Sequence, residues 1–126
     1  MNRIIAALVI AGLAAATLSG CAANTNKTYS SVSQLRDDFE KAGGVCSDWY
    51  QSDQVTAALE SGECGSSTVL SIYTDQEGAR ASAENLAAIL REYGMPVSVL
   101  YGKNWVINSK QVLSLSESMT GTLITG

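Results

Sequence analysis

Polar and apolar positions change period several times along this chain, and each change marks an element. Met1-Asn2-Arg3 is followed by a charge-free apolar run from Ile4 to Leu18 and then by Ser19-Gly20-Cys21. Ala22 to Ser30 (AANTNKTYS) is small and polar with no hydrophobic period, which predicts a flexible tether reaching on the order of 17 Å. Val32, Leu35, Phe39 and Ala42 then recur at helical spacing. Ser31 and Gln34 form a capping box and Gly43-Gly44 stop the element, so a helix is predicted over 32–42. Val45–Tyr50 reads as a strand, Ser52-Asp53-Gln54 as a turn, and Thr56–Leu59 as a returning strand. Thr68–Tyr73 (TVLSIY) is the clearest strand.

The second half repeats the alternation. Thr74 with Glu77 makes another capping box, and Asp75 suits the positive end of a helix. Ala79, Ala83, Leu86, Leu90 and Tyr93 lie on one stripe, predicting a helix over 75–93 that Gly94 caps and Pro96 keeps from restarting. Val97–Tyr101 and Asn104–Asn108 flank Gly102-Lys103, a Gly-X hairpin signal. Ser109 precedes a last helix over 110–119, with Val112, Leu115 and Met119 inward. The order α-β-β-β-α-β-β-α predicts an α+β fold. It comprises an antiparallel sheet of about five strands with helices packed mainly on one face. The expected division is an N-terminal segment 1–20, a tether 21–31, one domain over 32–120 and a frayed tail 121–126.

In the hairpin register with Tyr101 opposite Asn104, Val97, Val99, Tyr101 and Val106 share one face. Leu100, Trp105 and Ile107 share the other. Both faces are apolar, whereas a sheet covered on one side should alternate more cleanly. Either a terminal helix covers the second face, or its aromatics form a contact patch for a partner. The candidate patch residues are Trp49, Tyr101 and Trp105.

Length decides how the first apolar run is read. As a helix, Ile4–Leu18 would span about 22 Å against a hydrocarbon core of about 30 Å. A basic start, a short apolar run and a small-residue end describe an export signal better than a stable span. Leu18-Ser19-Gly20-Cys21 resembles the lipobox of bacterial lipoproteins. That resemblance implies cleavage before Cys21, a diacylglyceryl group (and palmitate-type acylation) on Cys21, and a chain held on the extracytoplasmic side of the cell membrane. The alternatives are an ordinary export signal with a chance cysteine, or a short uncleaved anchor. Cleavage would leave 106 of the 126 residues, enough for one modest core.

With Cys21 assigned to lipid, Cys46 and Cys64 remain as an even pair in an oxidising compartment, which predicts a disulfide. Pairing Tyr50 near Glu60 would bring the two opposite each other on neighbouring strands. Two free thiols are the alternative. Closing that loop of roughly 18 residues would contribute about 3 kcal/mol. The formal charge is −4, with no basic run, which argues against nucleic acid and against electrostatic attraction to anionic lipid.

Candidate chemistry is sparse. The chain contains no histidine, so the usual base for a serine or cysteine nucleophile is missing, and no metal or cofactor site is expected. Lys103 and Lys110 could serve a Ser-Lys pair, but with many serines their proximity is expected by chance. Asp37-Asp38 reads as a solvated helix face, and Glu60 and Glu63 flank a turn with nothing to set them across a cleft. Gly62-x-x-Gly65 lacks the lysine and helix of a phosphate loop.

The run Gly102-Lys103-Asn104-Trp105-Val106-Ile107 after an αβ unit, with two upstream cysteines, resembles small exported lipoproteins of high-GC Gram-positive bacteria and their phages. This resemblance covers about residues 32–119 and implies no catalytic residues. It leaves a bacterial and a phage or prophage origin both open; in the second, surface lipoproteins can exclude superinfecting phage. The expected function is therefore a non-catalytic, lipid-anchored interaction module whose partner is an envelope or phage protein. A passive structural or stress lipoprotein, and a small envelope hydrolase, are the alternatives.

Overall fold

The computed structural model describes residues 24–126. Cys21, the apolar run and the predicted cleavage site lie outside the described residues. Three helices and six strands follow in the order α1 Val32–Lys41, β1 Trp49–Tyr50, β2 Glu60–Cys64, β3 Thr68–Ile72, α2 Gln76–Glu92, β4 Ser98–Tyr101, β5 Trp105–Asn108, α3 Val112–Leu115 and β6 Thr122–Thr125. The strands form one antiparallel sheet in the order β1-β2-β3-β5-β4-β6. The chain is therefore an α+β domain, as expected, with one strand more than counted from sequence. Among the described residues no helix is long and apolar enough to cross a membrane.

Alternation on the central strands sends side chains to two cores. Leu70 and Ile72 of β3, Leu100 of β4, and Trp105 and Ile107 of β5 join Val32, Leu35 and Phe39 of α1 and Val112 and Leu115 of α3. Val99 and Tyr101 of β4 and Val106 of β5 join Tyr73 and the alanines Ala79, Ala83 and Ala87 of α2. The two apolar faces of the hairpin are thus both covered, α1 and α3 lying on one face and α2 on the other.

Capping explains where the helices start. Ser31 Oγ accepts from Gln34 N at 3.3 Å, as the capping box predicts. For α2 the cap is one residue later than Thr74: Asp75 Oδ1 accepts from Gly78 N at 2.8 Å. Tyr93 does not continue the buried stripe, because it falls beyond the helix end and is 73% exposed. Gly43 ends α1 with φ +110, and a Cβ on Gly44 would collide with the Phe39 ring.

Several boundaries differ from expectation, each for a local reason. The second strand is Glu60–Cys64, not 56–59. Residues 51–59 instead form a loop tied to β2 by Asp53 N to Ser61 O at 2.9 Å and Ser61 N to Asp53 Oδ1 at 3.1 Å. Trp49 therefore pairs with Cys64 and Tyr50 with Glu63. Cys46 lies ahead of β1, and its disulfide to Cys64 ties that connection to the end of β2 instead of joining opposed strand positions. The hairpin turns at Lys103-Asn104, so Tyr101 pairs with Val106 and Leu100 with Ile107. This two-residue shift preserves the side-chain faces. Gly102 is required for close approach: a Cβ there would run into the Trp105 indole.

Both ends of the domain are more ordered than expected. Thr25 and Tyr29, inside the predicted tether, are buried. The predicted tail contributes β6, which pairs Leu123 with Leu100 and Ile124 with Val99. The last helix shrinks to Val112–Leu115, although Met119 is still buried as expected.

Candidate functional site

The predicted aromatic patch does not form a surface. Trp105 is 0% exposed, and its indole Nε1 donates to Thr25 O at 2.9 Å. Tyr101 is 9% exposed and sits under α2. Trp49 is half-buried; its ring lies over Gly62, which is glycine because a Cβ would strike that ring, and the Arg36 guanidinium stacks 5.3 Å from its centroid. The physical reason is coverage by the segment preceding α1 together with α1, α3 and α2. It leaves Tyr101 and Trp105 as core residues and Trp49 as a packed margin.

A different feature opens the surface. Helix α2 packs chiefly on β4, β5 and β6, while the loop 51–59 rests on β2. Between them, on β3 and β5, lies a cleft of about 330 Å³. Val69, Ser71 and Tyr73 on the β3 side and Val106 and Asn108 of β5 form its floor. Ser82, Asn85, Leu86 and Ile89 of α2 form one wall, and Val55 and Thr56 the other. Ser71 Oγ and Tyr73 OH lie 3.1 Å apart, both side chains buried. Ile89, at 44% exposed, stands at the rim.

Among the described residues the lining carries no charged side chain, so the cleft suits an uncharged, mainly apolar occupant oriented by hydroxyl and amide groups. Its serines have no lysine, carboxylate or imidazole among the lining residues to take a proton. The wall formed by the loop is conformationally demanding. Ala57 has φ 75 and Asp53 φ 53, and the left-handed region is costly for alanine in particular.

Other candidate residues are dispersed. Glu60 and Glu63 point to opposite faces of β2: Glu60 Oε1 accepts from Val32 N at 2.8 Å, and Glu63 binds Ser52. Asp37 is exposed beside Arg36, but Asp38 is not part of a solvated face. It is buried, accepts from Tyr29 OH at 2.7 Å and pairs with Lys27 at 3.2 Å. Burial, and then the hydrogen bond and negative charge of Asp38, push the Tyr29 hydroxyl well above the usual phenol range. Lys103 and Lys110 are exposed at opposite ends of β5. Among the described residues no cluster of three acidic, cysteine or histidine side chains could hold a metal.

Sequence reasoning missed the cleft because it is made by an offset between elements. The available signal was Val69-x-Ser71-x-Tyr73 facing the alanine stripe of α2, a small-residue contact that leaves room beside it. The chain matches no known family model, no curated protein and no solved structure.

Proposed function

We propose that this chain is a lipid-anchored, extracytoplasmic module of the cell envelope that acts by binding, not by catalysis. The observation that carries the reading is Leu18-Ser19-Gly20-Cys21 behind a short charge-free run. The Cys46–Cys64 disulfide supports it, since such bonds persist in oxidising compartments. The binding surface in this reading is the α2 cleft. Its occupant is an uncharged apolar side chain or loop of an envelope protein or of an incoming phage component. Superinfection exclusion is the process that suits the phage-lipoprotein resemblance, and it needs only such contact.

Two measurements test the reading. Metabolic labelling with an alkynyl fatty acid should mark the wild type and not Cys21→Ala, which should also leave the membrane fraction; equal labelling refutes anchoring. A photoreactive residue at Ile89 should capture a discrete partner in the envelope, and filling the cleft with Ser82→Trp should abolish capture. A photoreactive residue at Leu113, outside the cleft lining and 55% exposed, should capture none. Identical adducts from both positions refute the cleft.

A further inference from the structure

The buried N-terminal segment sets how the domain meets the bilayer. Thr25 is fully buried and held on three contacts: its carbonyl accepts from Trp105 Nε1 at 2.9 Å, its Oγ1 accepts from Thr120 N at 2.7 Å, and its Oγ1 lies 3.4 Å from Thr120 O. Four residues on, Tyr29 exchanges backbone hydrogen bonds with the Asn104 side chain, 2.8 Å from N to Oδ1 and 2.9 Å from Nδ2 to O. The folded domain therefore begins at Thr25. Only Ala22-Ala23-Asn24 separate it from Cys21. Fully extended, the four steps from Cys21 to Thr25 span at most about 14 Å. The headgroup layer alone occupies roughly 5–7 Å of that.

The end of the domain around Thr25 is also defined. Asn26, Gln76, Lys103, Thr120 and Gly121 line one shallow polar depression there, and among the described residues Lys103 is its single charged side chain. Helix α2 starts at this end with Gln76 and runs away from it. Arg91, near its other end, donates to Thr125 O at the far end of β6. Its 17 residues make a ruler of about 26 Å along the domain.

We infer, resting on the lipidation of Cys21, that the domain stands on the bilayer in one orientation. The depression bearing Gln76 and Lys103 rests against the phospholipid headgroups, and the Tyr93 and disulfide end points outward. Lys103 meets lipid phosphates without a neighbouring carboxylate in the depression. The link from Cys21 to Thr25 is then short, three residues long.

The test uses the full chain, processed in cells and reconstituted into phosphatidylcholine vesicles containing a headgroup-labelled acceptor lipid. A fluorescent donor amino acid is encoded at Gln76 or at Tyr93, both exposed. Energy transfer from Gln76 should exceed that from Tyr93 severalfold. Inserting a flexible spacer of about ten residues between Asn24 and Thr25 should collapse the difference while vesicle binding persists. The mass of the Cys21 peptide is read from the same samples. A lipidated protein with equal or reversed transfer overturns the orientation and leaves the anchoring intact. A spacer that does not change the difference overturns the short link as its cause. A Cys21 without lipid overturns the underlying reading and this inference together.

Discussion

Asn104 is the residue on which the N-terminal closure turns, and removing its side chain has a calculable cost. The amide is buried and makes three hydrogen bonds: it accepts from Tyr29 N at 2.8 Å and donates to Tyr29 O at 2.9 Å and Tyr73 O at 3.0 Å. Asn104→Ala leaves one buried N–H and two carbonyls without these partners. Each lost bond is worth about 1 kcal/mol net, and an unsatisfied buried group costs about 1–3 kcal/mol. Water entering the vacated space recovers part of this, so the expected loss is about 3–4 kcal/mol. That is a large share of the 5–15 kcal/mol typical of a domain.

Asn104→Asp separates hydrogen bonding from shape. The side chain is isosteric, but at neutral pH both oxygens accept, and a negative charge faces the carbonyls of Tyr29 and Tyr73. The loss should equal or exceed that of alanine near pH 7. It should shrink as acid protonates the carboxyl and restores one donor. The assay is urea unfolding at pH 7 and pH 4 with hydrogen exchange at the Tyr29 amide. Exchange there should accelerate more than in β3 or β5. If Asn104→Ala lies within about 1 kcal/mol of wild type with Tyr29 still protected, the clasp does not hold the segment and the reasoning fails.

Three further outcomes follow from the same structure. Cys46→Ser should lower stability by about 2–5 kcal/mol, read as a drop in urea midpoint that reductant reproduces in the wild type; no response to reductant would contradict the bond. Ala57→Gly should raise the melting temperature, because relief of the left-handed alanine, about 1–2 kcal/mol, outweighs the added freedom of the unfolded chain; a lower melting temperature would show the loop is unstrained. Tyr29 titrates higher folded than unfolded, so its contribution is complete below pH 10 and is lost as pH rises above it. Tyr29→Phe should therefore be less stable at pH 8, with the gap narrowing by about 1.4 kcal/mol per pH unit above 10; a constant gap would refute the burial argument.

What the sequence made legible was local and periodic. The stripe Val32, Leu35, Phe39 found α1, the stripe Ala79, Ala83, Leu86 and Leu90 found α2, and alternation assigned the apolar hairpin side chains to their correct faces even with the turn misplaced by a residue. The disulfide was legible from parity. What escaped depends on partners far away in sequence. Thr25 and Tyr29 look like tether because the Thr25 carbonyl and hydroxyl and the Tyr29 backbone find their partners far along the chain, in Trp105, Thr120 and Asn104. Thr122–Thr125 has strand-forming residues, but its side chains are mostly exposed, and only β4 makes it a strand. The loop 51–59 replaces a strand because Ser61 and Asp53 satisfy each other's backbone, a pairing no periodicity encodes.

The two faces of the sheet divide the work. On the α1 and α3 side, Phe39, Leu35, Trp105, Leu100 and Met119 are all essentially fully buried, and large side chains fill the space. On the α2 side the helix contributes Ala79, Ala83 and Ala87, so it can approach β4 and β5 closely. That small-residue contact fixes the helix at one half of the sheet and cannot fill the volume over β3. The loop 51–59 closes the other half, leaving the cleft between two walls of different kinds: a rigid helix and a loop carrying a left-handed alanine. A packing economy that secures the helix therefore also leaves the apolar opening. The α2 face, and not the aromatic hairpin, is therefore where the described surface carries an apolar opening, set apart from the principal core.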